Sequence, residues 1–197
     1  MTPRARRSLI APSLALSATL ALSASLAFAS TPAPSLAPAI DAALASFAQV
    51  FRVLQSPRCI NCHPAGDAPL RGDAGTRHWM NVSRRSAESG LPCTTCHQSR
   101  NGVAPRSPPG VPDWHMPSAS MPMVFQGKTP RELCEQLKDP SRNGGKSLDA
   151  LREHFAHDPL VLWGWNPGPG RSLPPIPHEE LVAHVARWIQ AGAPCPP

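Results

Sequence analysis

Two pentapeptides in this chain have the residue types and spacing for one particular chemistry. Cys59-Ile60-Asn61-Cys62-His63 and Cys93-Thr94-Thr95-Cys96-His97 both read Cys-x-x-Cys-His, the spacing at which a c-type haem is attached. Two thiols bond covalently to the porphyrin, and the next residue places an imidazole under the iron as its proximal ligand. With 6 cysteines and 8 histidines in 197 residues, the pattern should arise by chance about 0.007 times. Two copies are no accident. They predict two covalently attached haem c groups, held by Cys59, Cys62, His63, Cys93, Cys96 and His97.

The opposite side of each iron decides the chemistry. Histidine or methionine there closes the site for electron transfer, whereas an open position permits small-molecule chemistry. His78 and His115 lie in loops after the two motifs, each beside a tryptophan, Trp79 or Trp114. They are the expected distal ligands, with a histidine on both sides of at least one iron. Met121 and His157 are the alternatives. The run Met116 to Met123 resembles the Met-Pro environment that supplies an axial sulfur in many single-haem cytochromes c. His157 precedes Asp158, which could orient a ligating imidazole through its other nitrogen. Each candidate also has a plain role: a loop histidine, a gap-filling methionine, or a histidine near helix-end carbonyls. His184 reads as a packed core residue, and His154 and His178 as solvent-facing. Glu153 and Asp158 are the nearest carboxylates, and no catalytic residue is assigned.

Cys134 and Cys195 stand outside both motifs. In an oxidising compartment an even leftover pair most simply forms a disulfide. Closing a loop of about 60 residues contributes roughly 4 kcal/mol on the chain-entropy account.

The elements that must position these groups are helices and long loops. Apolar residues from Ile40 to Gln55 recur at three- and four-residue steps, which predicts a helix leading into the first motif. Thr129-Pro130-Arg131-Glu132 is a capping box that starts a helix to about Lys138. Ser147 can cap another through Phe155, and His178 to Ala191 is the last, with Gly192 as its stop signal. Proline is abundant, 26 in all, and tyrosine is absent. Gly102 to Pro122 and Asn166 to Pro177 cannot be regular helix or sheet, because proline lacks the N–H and fixes φ. Strands should be few. The fold class expected is mainly α with long Pro-rich loops, a single cytochrome c-like domain built around two covalent haems. A chain with so thin an apolar core should fold poorly without them.

Arg4, Arg6 and Arg7, an apolar run from Ser8 to Leu26, and Ala27-Phe28-Ala29 make a cleavable leader over residues 1–29. The domain then spans 30–197. Export to the periplasm suits haem attachment, and no later stretch reads as a membrane span. Without the leader the formal net charge of +6 falls to 16 basic against 13 acidic residues, a net +3, which four haem propionates would largely cancel. A nucleic-acid role is excluded on that ground. Arg71, Arg77, Arg84 and Arg85 form either a docking patch for an acidic redox partner or, more plainly, a solvated loop.

Beyond the haem motifs the chain resembles the bacterial exported proteins known as isoquinoline 1-oxidoreductase subunits. The resemblance rests on Val53 to Cys59, Asn61 to Asp67, Trp114-His115, Ala119-Ser120-Met121, Lys138 to Gly145, His157-Asp158 and Trp163-Gly164-Trp165-Asn166-Pro167-Gly168. It spans nearly all of the mature chain. It implies a place beside a molybdenum hydroxylase, some of which pass electrons from molybdopterin and iron–sulfur subunits to a cytochrome c subunit. The sequence holds no third set of four cysteines for an iron–sulfur centre, so the resemblance implies the electron-accepting cytochrome. The expected function is electron transfer to a redox partner, in place of a peroxidase- or reductase-like haem enzyme with an open distal site or a haem-based gas sensor.

Overall fold

The apolar stripe before the first motif folds as the helix that organises the rest. A computed structural model describes residues 36–104 and 107–197; the leader expected over 1–29 lies outside them. Helix α1 spans Leu36–Leu54, beginning four residues before the periodic stripe. Pro38 does not prevent this, because a proline in the first turn removes an N–H that has no partner there anyway. Ala43, Phe47, Val50, Val53 and Leu54 are buried on one side. By length and composition Ala37–Leu54, mean hydropathy 1.3, is apolar enough to cross a membrane, which the sequence reading did not expect. Its apolar side, however, is committed to the protein core.

After α1, Pro57 opens the short helix α2 (Pro57–Ile60). A two-residue antiparallel pair, β1 (Leu70–Arg71) and β2 (Thr76–Arg77), follows, with Leu70 opposite Arg77. Helix α3 (Arg84–Glu88) carries its own capping box through Ser83 and Ser86. The remaining α-helices are α4 (Pro130–Lys138), α5 (Leu148–His157), α6 (Pro159–Trp163) and α7 (His178–Gln190). The protein is mainly helical, and the only strands among the described residues are β1 and β2.

The caps explain where these helices begin. Thr129 accepts from the Glu132 amide, and the Glu132 carboxylate accepts from the Thr129 amide at 2.8 Å. Ser147 accepts from the Ala150 amide at 3.2 Å and opens α5. Gly192 at φ +81 ends the α7 region, a conformation that glycine adopts without a Cβ penalty.

Helix α1 packs on α7, with Phe47 and Trp188 rings 5.0 Å apart. Leu133 and Leu137 of α4, Leu151 and Phe155 of α5, and Leu181 and Val185 of α7 complete the core with Phe125. Cys134 and Cys195 are joined as a disulfide, Cα atoms 5.6 Å apart, which ties α4 to the segment after α7.

Two polar residues fix the loops from inside. Asn143, buried after α4, donates to the carbonyls of Leu137 and Lys146 at 2.8 Å and accepts from the Lys146 amide. Arg84, expected in a solvent-facing patch, is instead 2% exposed. Its guanidinium donates to the carbonyls of Gly66, Pro117 and Pro122 at 2.9–3.0 Å. It is a buried clamp between the loop after the first motif and the 117–122 loop.

Candidate haem-binding site

The two Cys-x-x-Cys-His motifs adopt the same backbone turn. The His63 amide donates to Cys59 O at 3.1 Å and the His97 amide to Cys93 O at 3.0 Å. In such a turn, residues i, i+3 and i+4 share a face, so each pair of thiols and its imidazole are presented together. Cys59, Cys62, Cys93 and Cys96 are free thiols. Burial pushes Cys59 up to about 11 and Cys62 up to about 12, so both are protonated and weak nucleophiles at neutral pH. Cys93 also raises Cys62 electrostatically.

Each proximal histidine is held in the same way. His63 Nδ1 lies 2.7 Å from Met123 O, and His97 Nδ1 lies 2.7 Å from Pro109 O. A carbonyl oxygen only accepts, so Nδ1 carries the proton and Nε2 keeps its lone pair. That fixes the tautomer and ring direction a metal-binding imidazole needs. Burial pushes His63 down to about 4 and also lowers His97, favouring the neutral ring in both. Phe125 stacks on His63 at 3.9 Å and Trp114 on His97 at 4.8 Å. The Phe125 and Gln126 amides both donate to His63 O, so the 123–126 segment is strapped to the first motif.

The loop under His97 depends on a glycine. A Cβ on Gly110 would run into the carbonyls of Gln98 and Arg100. This close approach lets the neighbouring Pro109 carbonyl reach His97. Asn101 completes the strap: it accepts from the Gly110 amide at 3.0 Å and from Trp163 Nε1 at 2.8 Å, and donates to Asn166 O. The Trp-Gly-Trp-Asn-Pro-Gly segment thus braces the second motif.

An apolar cleft opens beside the first motif, with about 1320 Å³ of empty space including its mouth. Cys59, Cys62, His63, Leu137, Leu151 and Phe155 are among its walls. Two donors along it, Arg58 Nε and Gln136 Nε2, are buried without a hydrogen-bond partner among the described residues. Unpaired buried donors fit the anionic propionates of a haem. Among the described residues no three His, Cys, Asp or Glu side chains converge as they would on a bare ion. A haem asks less, since its ring supplies the equatorial nitrogens.

The distal candidates separate clearly. His78 donates from Nδ1 to Trp79 O at 2.6 Å, and its ring lies 5.9 Å from that of His97. Two imidazoles on opposite sides of one metal have ring centres about 6 Å apart, from bonds of about 2 Å and the ring size. His78, from the loop after the first motif, therefore faces the second motif. His115 donates to Asp113 O at 2.5 Å and lines the cleft with His63. The loop histidines are crossed relative to their order in the chain.

Met121 does not line the cleft; Met123 does. His157 is 76% exposed and approaches Glu153 at 3.5 Å. Asp158 is paired with His154, at 3.1 Å, and not with its neighbour His157. His154, read as solvent-facing, lines the cleft. His178 is half-buried and donates to Phe155 O at 2.8 Å, so it too is not solvent-facing. His184 is half-buried and accepts from Arg187 at 2.8 Å, outside the core. Trp79, the neighbour of His78, is 59% exposed under Arg71. Comparison with protein families, curated proteins and solved structures finds no match to this chain.

Proposed function

We propose that this chain is an exported dihaem c-type cytochrome, a single cytochrome c-like domain that carries electrons. Within that reading it is the electron-accepting subunit of a periplasmic dehydrogenase of the molybdenum hydroxylase type. The observation that supports it most strongly is the repeated geometry of the motifs. Two identical turns each present two thiols and an imidazole whose Nδ1 is tied to a backbone carbonyl, leaving Nε2 free. A structural or solvent-facing histidine has no need of that arrangement twice.

Cys59, Cys62 and His63 would hold the first haem, and Cys93, Cys96 and His97 the second. When bound, haem iron supplies reversible one-electron exchange. The chain's own task is to orient the axial imidazoles, exclude water and keep the two groups close. His78 is the distal partner of His97, supported by the 5.9 Å ring separation. Trp114 joins the two sites, with its face on His97 and its flank lining the first cleft.

Optical and electron paramagnetic spectra of the matured protein test this reading. The expected result is two six-coordinate low-spin haems that ignore CO. A high-spin, CO-reactive haem in the unaltered protein would overturn the electron-transfer reading and favour an enzyme or gas sensor.

A further inference from the structure

The cleft beside His63 is lined by two further histidines, His115 and His154, and the chain holds them differently. His115 is an exposed loop residue whose one side-chain hydrogen bond among the described residues is to Asp113 O. His154 belongs to α5, beside the buried residues Leu151 and Phe155. Its ring meets Phe155 edge-on at 6.2 Å. Its Nδ1 lies 3.1 Å from Asp158 Oδ2, with the His154 side chain 33% exposed.

Asp158 is itself immobilised. It caps α6, with Oδ1 accepting the Leu160 amide at 2.8 Å. Carboxylate, imidazole and helix end thus form a chain of fixed parts that leaves His154 Nε2 without a partner among the described residues. A carboxylate on the outer nitrogen orients a metal-binding imidazole and makes it a stronger donor. A helix residue already held in one rotamer also loses less freedom on ligation than a loop residue does.

We propose that His154 is the distal axial ligand of the first haem, opposite His63, and that Asp158 is its positioning residue. The inference rests on the dihaem reading and deepens it. Both haems then carry two histidines: His97 with the loop residue His78, and His63 with the helix residue His154. The first site would be the more rigid of the two, because its distal ligand comes from a packed helix.

The test uses the full chain matured with both haems. His154→Ala should make half of the haem high-spin and able to bind CO, one CO per two haems, and added imidazole should restore the low-spin spectrum. His154→Met, in a folded protein, should give one haem the near-infrared band of sulfur ligation. His115→Ala should leave both haems low-spin and inert to CO. Asp158→Asn should keep the low-spin spectrum while raising one of the two reduction potentials, an effect that a purely structural aspartate would not confine to a single haem. Two low-spin, CO-inert haems in His154→Ala, or opening of the first haem in His115→Ala, would overturn the assignment. Absence of covalent haem from the unaltered chain would instead sink the dihaem reading beneath it.

Discussion

On the proposed dihaem function, the second site turns on His78, whose ring lies 5.9 Å from that of His97. Replacing His78 with alanine should leave the haem attached through Cys93 and Cys96 but open its distal side. The expected outcome is CO binding by half of the haem, read from the ferrous spectrum, with His97→Ala giving poorer haem retention as well. Gly110→Ala should damage the same site from below, since a Cβ there meets two carbonyls and must displace Pro109 from His97. We expect a change confined to the second haem's potential or ligand-field spectrum; an unchanged spectrum would contradict the strap. The two Cys-x-x-Cys-His turns are legible from sequence because their spacing is local and rare. Asp158's partner is not legible in that way. Adjacent residues on a helix point about 100° apart, whereas i and i+4 share a face. His154 and Asp158 therefore meet, and His157 turns away. The signal was present, four residues upstream instead of one.

At the scale of elements, the disulfide and the buried arginine carry the sharpest expectations. Cys134→Ser with Cys195→Ser should lower unfolding stability by about 2–5 kcal/mol in denaturant titration without altering the haem spectrum. Arg84→Lys should not rescue Arg84→Ala. The three carbonyls around Arg84 are met by a planar fork that an ammonium cannot reproduce. Each variant leaves buried acceptors unpaired, at about 1–3 kcal/mol per group, and thermal unfolding measures the loss. A lysine variant as stable as the parent would show that the clamp is dispensable. The long helices were legible because a cap or an apolar stripe announces each of them: Thr129 with Glu132, Ser147, and the α1 and α7 stripes. Short α2, α3 and α6 escaped, since four or five residues hold little periodicity. Their signals were local: Pro57, the Ser83–Ser86 box, and Asp158 before Pro159. Arg84 escaped for another reason, because its position inside the fold depends on loops 33 and 38 residues away.

For the whole molecule, helices α1, α4, α5 and α7 form a core on one side, while the cleft keeps Leu137, Leu151 and Phe155 along its wall. Two porphyrins would cover apolar surface that the chain cannot cover alone, at roughly 25 cal/mol per Å². A chain with Cys59, Cys62, Cys93 and Cys96 all changed to serine should lose cooperative thermal unfolding and be cut readily by proteases in the Pro-rich loops. Sharp, parent-like melting of that variant would contradict a fold built around the cofactor. Whether the chain is a dihaem cytochrome is decided by the intact mass of the exported protein, produced in cells able to attach c-type haem and measured after denaturation. The expected mass is that of a polypeptide beginning at Ser30 that carries two haem groups surviving denaturation. A mass equal to the bare polypeptide would contradict it.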